Sequence, residues 1–239
     1  MDAVLAGADR LLPQFQAALE PIPMEERGRG IFLSEMFLFY GVVRPLRPER
    51  ILESGRDLGG STLTLAHCFP EARICSVEYD AASPHAAIAT ARLASYRHVE
   101  CLFGDSREVL PSLLQKGDAV LIDGPKGFRA LKLALRLLRT RRPSVVFLHD
   151  FSAGEPWRRF LDKHWPGAFF SDHPEFLRRF GWLDGLDETP RPTTFACLPA
   201  ELPAPYFILL LQIVWTRAAS LAPGKTRRIF AKLFGGKQA

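Results

Sequence analysis

Five short apolar runs recur along the middle of the chain, and each is followed by a segment with helical spacing. The runs occupy residues 50–54, 73–79, 99–103, 119–123 and 144–150. The helical segments lie near 60–68, 84–95, 106–115, 127–141 and 155–164. Alternating units of this kind are typical of a parallel sheet with helices on both faces, and uninterrupted apolar runs suit strands buried on both faces. The sequence therefore predicts an α/β, Rossmann-like fold.

Two further strands are predicted after the fifth unit. The segments "GAFFSD" and "TTFACLP" have strand character, and the turn-rich stretch between them shows no convincing helical crossover. Because only parallel strands need such a crossover, we expect the closing pair to be antiparallel. The predicted sheet then has seven strands, mostly parallel. Residues 1–48 are predicted to form helices packed on the core, 49–201 the main domain, and 202–239 an apolar and then basic tail.

The charge distribution argues against a nucleic-acid-binding surface. The net charge is +5, with 31 Lys and Arg against 26 Asp and Glu. Residues 216–239 contain basic side chains and no acid, so the rest of the chain is close to neutral. A nucleic-acid-binding domain usually has a basic stripe on its folded surface. We therefore expect no nucleic-acid partner.

The cysteines and the N-terminus favour a cytoplasmic protein. Cys68, Cys75, Cys101 and Cys197 are scattered among apolar residues and form no C-x-x-C pair, so we expect reduced core residues. The first turns contain Asp2 and Asp9 and no long apolar run, which is unlike a signal peptide.

The loop that leaves the first strand is the strongest candidate for a ligand site. It reads "ESGRDLGGS" from Glu53 to Ser61, so its glycines follow E-x-G-x-x-x-G and not the G-x-G-x-x-G of dinucleotide-binding loops. Gly55 and Gly59 permit a close approach or a backbone conformation that a side chain would forbid. In open parallel sheets, ligands bind beyond the carboxyl ends of the strands.

This loop resembles the first motif of class I S-adenosylmethionine-dependent methyltransferases, and later loops resemble their other motifs in order over about residues 50–198. The resemblance implies S-adenosylmethionine as the cofactor. By the same resemblance, Glu78 would bind the ribose, with Asp80 as second choice, and Asp105 and Ser106 would lie beside the adenine. The other implied cofactor contacts are Glu53, Gly55, Gly59, Ser61 and Asp123. Arg56 either pairs with the cofactor's carboxylate or pairs locally with Asp57.

The fourth and fifth strands end in "IDGPKG" and "FLHDF", which narrow the resemblance to O-methyltransferases. Asp123 and Lys126 reproduce the D-x-x-K of the cation-dependent catechol and caffeoyl type, and distant sugar O-methyltransferases have a similar His-Asp pair. Phe151 stands where the cation-dependent enzymes have a ligating asparagine. The resemblance implies transfer to a hydroxyl of a saccharide or another small molecule.

Two catalytic arrangements remain open at this point. Asp123 and Asp150 could hold Mg²⁺ or a similar cation. Alternatively, His149 or Lys126 could act as general base, with Asp150 orienting the histidine. The structural alternative is that His149 points into the sheet and Asp150 caps the next helix. A competing function is a non-catalytic binding module that keeps the fold and acts through its tail.

The tail contains the most apolar stretch of the chain, residues 206–215. As a helix it would cover roughly 15 Å, about half of the hydrocarbon core, so it should not span a bilayer. Followed by a basic amphipathic segment, it predicts membrane-surface contact through 203–239. The alternatives are a helix packed on the core or on a second subunit of a homodimer. The basic row on the 127–141 segment has a simpler interpretation as a solvated face: Arg129, Lys132, Arg136 and Arg139.

Overall fold

The computed structural model describes residues 2–28, 30–185 and 193–220, and the side chains from residue 7 onward in the first helix. The strands are β1 Arg50–Ser54, β2 Arg73–Glu78, β3 Val99–Phe103, β4 Ala119–Ile122, β5 Val145–Leu148, β6 Phe169–Phe170 and β7 Ala196–Pro199. The α-helices are α1 Asp2–Leu19, α2 Leu33–Val43, α3 Gly60–Cys68, α4 Pro84–Leu93, α5 Ser106–Leu113, α6 Phe128–Leu138, α7 Pro156–His164, α8 Pro174–Phe180 and α9 Tyr206–Ala219.

The strands form one seven-stranded sheet in the order β3-β2-β1-β4-β5-β7-β6. The first five strands are parallel, and β7 pairs antiparallel with both β5 and β6. This confirms the predicted fold class. One detail was wrong, because the stretch between β6 and β7 contains α8. Phe176 and Phe180, one helical turn apart, bury their rings in the core, and Pro174 begins the helix.

Helices cover both faces of the sheet. One core cluster joins the sheet to α1, α2, α3 and α8, with Phe15, Phe37 and Phe39 fully buried. The other joins it to α5, α6, α7 and α9. The four cysteines are unpaired, and burial raises the pKa of Cys197 to about 12, so its thiol stays protonated.

The apolar start of the tail packs on the domain as α9. Leu209 and Ile213 are buried in the second core cluster, against α6 and α7, as the core-packing alternative required. The outer side of α9 exposes Phe207, Leu211 and Trp215. None of the described helices is long and apolar enough to cross a bilayer. The basic part of the tail, residues 221–239, lies outside the described residues.

Candidate active site

The site lies where the strand order reverses, between the neighbouring strands β1 and β4. The loops after these strands approach closely: a Cβ on Gly55 would lie 2.7 Å from the backbone nitrogen of Gly124. Gly55 also has φ of +89°, which disfavours any residue with a side chain. The glycine therefore sets the shape of the crevice at the carboxyl ends of the strands.

A cavity of about 380 Å³ opens in this crevice, which is within the range of small-ligand sites. Four of the residues implied as cofactor contacts line this cavity, and they come from three different loops. Its lining is Gly55, Val77, Glu78, Tyr79, Asp105, Ser106, Arg107, Gly124, Pro125 and Arg129.

Glu78 is held in a fixed position at this cavity by backbone donors. Its Oε2 accepts the amide of Asp57 at 2.8 Å, and its Oε1 accepts the amide of Tyr79 at 2.7 Å. Each carboxylate oxygen has further acceptor capacity, which a diol could use. Asp80, the second candidate for the ribose, accepts the amide of Ala82 at 2.9 Å and does not line the cavity.

Asp105 and Ser106 link the loop after β3 to the rest of the site. Asp105 caps α5 by accepting the amide of Arg107 at 2.9 Å, as its position before a helix predicted. The side-chain hydrogen bonds from Arg107 lower the pKa of Asp105 to about 2, so the carboxylate is ionised. Ser106 Oγ donates to the carbonyl of Gly124 at 3.1 Å, which ties two walls of the cavity together.

Glu53 and Ser61 do not face the cavity, which corrects their implied role as cofactor contacts. The Glu53 carboxylate is fully buried and accepts from the hydroxyls of Ser61 and Ser76, each at 2.6 Å, and from Thr62. Burial raises the pKa of Glu53, and the three hydroxyls oppose that rise. These groups therefore form a polar network beneath the loop that fixes its conformation.

Neither alternative for Arg56 is what the structure contains. Its side chain is 1% exposed, lies over the Phe103 ring at 4.9 Å from the centroid, and donates to the carbonyls of Ser76 and Leu102. Buried beneath the loop, the guanidinium does not reach a ligand in the cavity. Asp57 pairs with His85 Nδ1 at 2.6 Å instead.

Gly59 is required by packing as well as by the turn. It has φ of +81°, and a Cβ there would lie 3.2 Å from the Cβ of Ala89 on α4. Its small size thus lets α4 lie against the loop.

The structure brings the four implied catalytic residues together beside the cavity. Asp123 accepts hydrogen bonds from Lys126 Nζ and from His149 Nδ1. Lys126 Nζ also lies 2.6 Å from Asp150 Oδ2, so its ammonium joins the two carboxylates. Asp150 has φ of +61°, at the turn that follows β5. Lys126 is about half exposed, whereas His149 is 3% exposed.

A fifth residue, Glu35 on α2, belongs to this cluster and was missed by the sequence analysis. Its Oε2 lies 3.4 Å from His149 Nε2 and accepts the amide of Phe32 at 3.0 Å. An acid inside the apolar run "SEMFLFY" was the available signal. Burial opposes the charge on His149, but the hydrogen bond to Asp123 and the nearby carboxylate of Glu35 outweigh it and raise the pKa of His149 to about 9.

These contacts correct two expectations about His149. Asp123 orients the imidazole, because Asp150 Oδ1 is 3.6 Å from the same nitrogen, beyond a good hydrogen bond. The imidazole is also buried against the Phe195 ring, at 5.4 Å between centroids, and so does not reach an acceptor. His149 therefore positions Asp123.

The donor set does not fit a divalent cation as it is arranged. One ligand atom each from Asp123, His149 and Asp150 lies within 4.8 Å of the others. However, the Lys126 ammonium already lies between the two carboxylates. The His149 nitrogen that would bind the ion, Nδ1, already donates a hydrogen bond to Asp123. A dication would have to displace both positive groups, and Phe151 offers no oxygen ligand.

The charges explain why Lys126 and Asp123 are ionised. Burial would lower the pKa of Lys126, but Asp123 and Asp150 outweigh it and raise that pKa. Burial would raise the pKa of Asp123, but the hydrogen bond and charge of His149, together with Lys126, lower it. The cluster is thus a charged network whose exposed members are Lys126 and Asp150.

The chain has the fold of class I S-adenosylmethionine-dependent methyltransferases. Residues 52–151 match the family model described as a methyltransferase domain. A candidate caffeoyl-CoA O-methyltransferase from Staphylococcus aureus has the same fold, with TM-score 0.50 and 16% identity over 81% of this chain and 92% of that chain.

Two other solved structures are similar to this chain. The O-methyltransferase from Bacillus cereus, in complex with SAH, is 19% identical with TM-score 0.48 over 81% of this chain and 90% of that chain. An rRNA methylase from Streptococcus thermophilus is 9% identical with TM-score 0.50 over 69% of this chain and 95% of that chain. No curated protein matches the sequence at a significant level.

Proposed function

We propose that the protein transfers a methyl group from S-adenosylmethionine to a hydroxyl of a saccharide or another small molecule. One observation supports this most directly: Lys126 and Asp150 are presented at the ends of β4 and β5, beside the cavity lined by Gly55, Glu78 and Asp105. A donor site and a proton-accepting cluster are thus adjacent, as methylation of a hydroxyl requires.

In this proposal Glu78 binds the ribose and Asp105 the adenine amino group. The sulfonium of the donor supplies an electrophilic methyl, so the protein has to align the acceptor and remove its proton. Asp150 holds the acceptor hydroxyl, and Lys126, in its neutral form, takes the proton. The raised pKa of Lys126 leaves little of it neutral near pH 7, so the rate should rise with pH as more of the lysine loses its proton.

Calorimetric titration with S-adenosylmethionine and a screen with labelled methyl donor test the proposal. The screen would offer saccharides and other hydroxylated compounds to the intact protein. We expect saturable binding of the donor and label in at least one hydroxylated compound. Folded protein that gives no heat would overturn the proposal and leave a non-catalytic binding module. Donor binding with label only in amines or thiols would overturn the hydroxyl assignment alone.

The expected position at the cytoplasmic face of a membrane and a homodimeric assembly are proposals as well. The membrane contact has support in the described residues from the exposed side chains Phe207, Leu211 and Trp215 on α9.

A further inference from the structure

A second cavity, of about 660 Å³, lies beside the cofactor cavity in a groove between α5, α6 and α9. Two arginines, Arg107 and Arg129, line both cavities, so the two spaces adjoin. We call it the α6–α9 groove. Its lining is Arg107, Glu108, Arg129, Lys132, Leu133, Arg136, Tyr206, Leu210 and Val214.

The walls of the α6–α9 groove have an excess of positive charge, although Arg107 is paired with Asp105 and Arg136 with Glu108. Arg129, Lys132 and Arg136 follow each other at helical spacing along α6, and Glu108 is the single acid among the lining residues. Burial lowers the pKa of Lys132, and the nearby charge of Arg217 lowers it further. Cations that are gathered in this way repel each other, so an anion in the groove would stabilise them.

The floor of the same groove is apolar and continues onto an exposed stripe. Tyr206, Leu210 and Val214 recur at a spacing of four residues on the groove side of α9. The adjacent line of the helix has Phe207, Leu211 and Trp215, which are 63%, 50% and 60% exposed. Three large apolar side chains in one exposed line mark an interaction surface, because such patches are uncommon on free surfaces.

We propose that the α6–α9 groove binds the phosphate of an anionic phospholipid, with the stripe of Phe207, Leu211 and Trp215 lying in the bilayer interface. Cationic walls beside an apolar helix line match a molecule with an anionic head and an apolar body. Residues 221–239 are a poor ligand for this groove, because they contain five Lys and Arg and no acid and so have the same charge as its walls. Those residues follow the stripe and would add attraction to the same anionic surface.

Vesicle flotation of the full chain tests this inference. The probes are phosphatidylcholine vesicles with and without phosphatidylglycerol, and inorganic phosphate as competitor. We expect binding only with phosphatidylglycerol. The double variant Lys132→Glu/Arg136→Glu should lower the affinity roughly tenfold or more. The matched double variant Arg97→Glu/Lys163→Glu changes the charge equally at exposed positions elsewhere and should bind more tightly than the groove variant.

Each alternative gives a distinct result. If both double variants lose the same affinity, general charge or the tail binds the vesicle, and the groove site is overturned. If millimolar phosphate raises the melting temperature of the wild type but vesicles do not float it, the ligand is a free anion and the lipid is overturned. Leu211→Ser/Trp215→Ser with unchanged affinity would overturn the role of the stripe. An unchanged circular dichroism spectrum and melting temperature show that the variants are folded.

Discussion

The imidazole of His149 and the carboxylate of Glu35 lie 3.4 Å apart, Nε2 to Oε2, and both side chains are buried. Glu35 is on α2, outside the 52–151 segment that matches the methyltransferase family. Helix α2 thus contributes a carboxylate to the site, and His149 is held between Glu35 and Asp123.

The pH dependence of stability should reveal the buried His149. Its pKa is raised from 6.5 to about 9, so its contribution to stability is complete below pH 6.5 and is lost as pH rises through 9. This group alone should lower the free energy of unfolding by up to about 3 kcal/mol over that range. Urea titrations at pH 6, 7.5 and 9 measure it. A free energy that stays constant from pH 6 to pH 9 would contradict the assignment.

The variant Glu35→Gln should lower the pKa of His149, because the amide removes one of its two carboxylate partners. We expect a decrease of about one pH unit or more in an NMR titration of the imidazole. The fall in stability should then occur at lower pH. Glu108→Gln makes the same change at an exposed position on α5 and should leave His149 as in the wild type. An unchanged pKa in Glu35→Gln would mean that Asp123 alone holds the imidazole.

Lys126→Met should abolish proton removal while the cofactor still binds. We expect kcat to fall by about 10²–10⁴ with the acceptor that the screen identifies, and the rise of the rate with pH to disappear. The dissociation constant for S-adenosylmethionine should change little, since Lys126 is not among the residues that line the cavity. Lys163→Met, at an exposed position on α7, is the matched control. A pH profile that keeps its shape in Lys126→Met would eliminate the lysine as base.

Glu78→Gln should weaken binding of S-adenosylmethionine, because a neutral amide replaces the carboxylate that we expect to accept from the ribose. We expect a loss of roughly tenfold to a hundredfold, as for hydrogen bonds to a charged group. Asp80→Asn, two residues later, removes an acid that does not line the cavity and should have little effect. Equal losses in the two variants would show that the ribose assignment is wrong.

Removal of divalent cations should leave the activity unchanged. Lys126 supplies the positive charge between Asp123 and Asp150, so neither EDTA nor added Mg²⁺ should alter the rate or the melting temperature. Methyl transfer assays and thermal melts, each with and without chelator, check this. A stabilisation that saturates with Mg²⁺ in wild type and vanishes in Asp150→Asn would show that the cluster does bind metal.

Gly55→Ala should destabilise the protein more than Gly117→Ala, although both glycines have nearly the same φ. Gly55 and Gly117 have φ of +89° and +91°, but a Cβ at Gly117 meets nothing within 4 Å. Gly117→Ala should therefore cost about 1–2 kcal/mol for the backbone conformation alone. Gly55→Ala adds a clash with Gly124 and should lower the melting temperature further and impair cofactor binding. Equal melting temperatures of the two variants would mean that the loops after β1 and β4 can move apart without loss of stability.

The order of strands and helices was predictable because hydrophobic periodicity is a local property. The run 50–54 is β1 Arg50–Ser54, and the segment near 60–68 is α3 Gly60–Cys68. Asp123, Lys126, His149 and Asp150 could be grouped from the sequence, because the carboxyl ends of adjacent parallel strands lie at one edge of the sheet. The short helix α8 was missed because seven residues show little periodicity.

The sequence by itself determined the fold class and the edge of the sheet where the chemistry is placed, since both follow from strand order and local pattern. Only the tertiary structure decided which way each side chain points. Burial placed Arg56 beneath the loop instead of at the cofactor. Packing of α2 on the sheet brought Glu35 to His149 across more than a hundred residues of chain. The acid inside an apolar run marks Glu35 as unusual, but the sequence does not show which residue either side chain contacts, because that depends on which helix covers which part of the sheet.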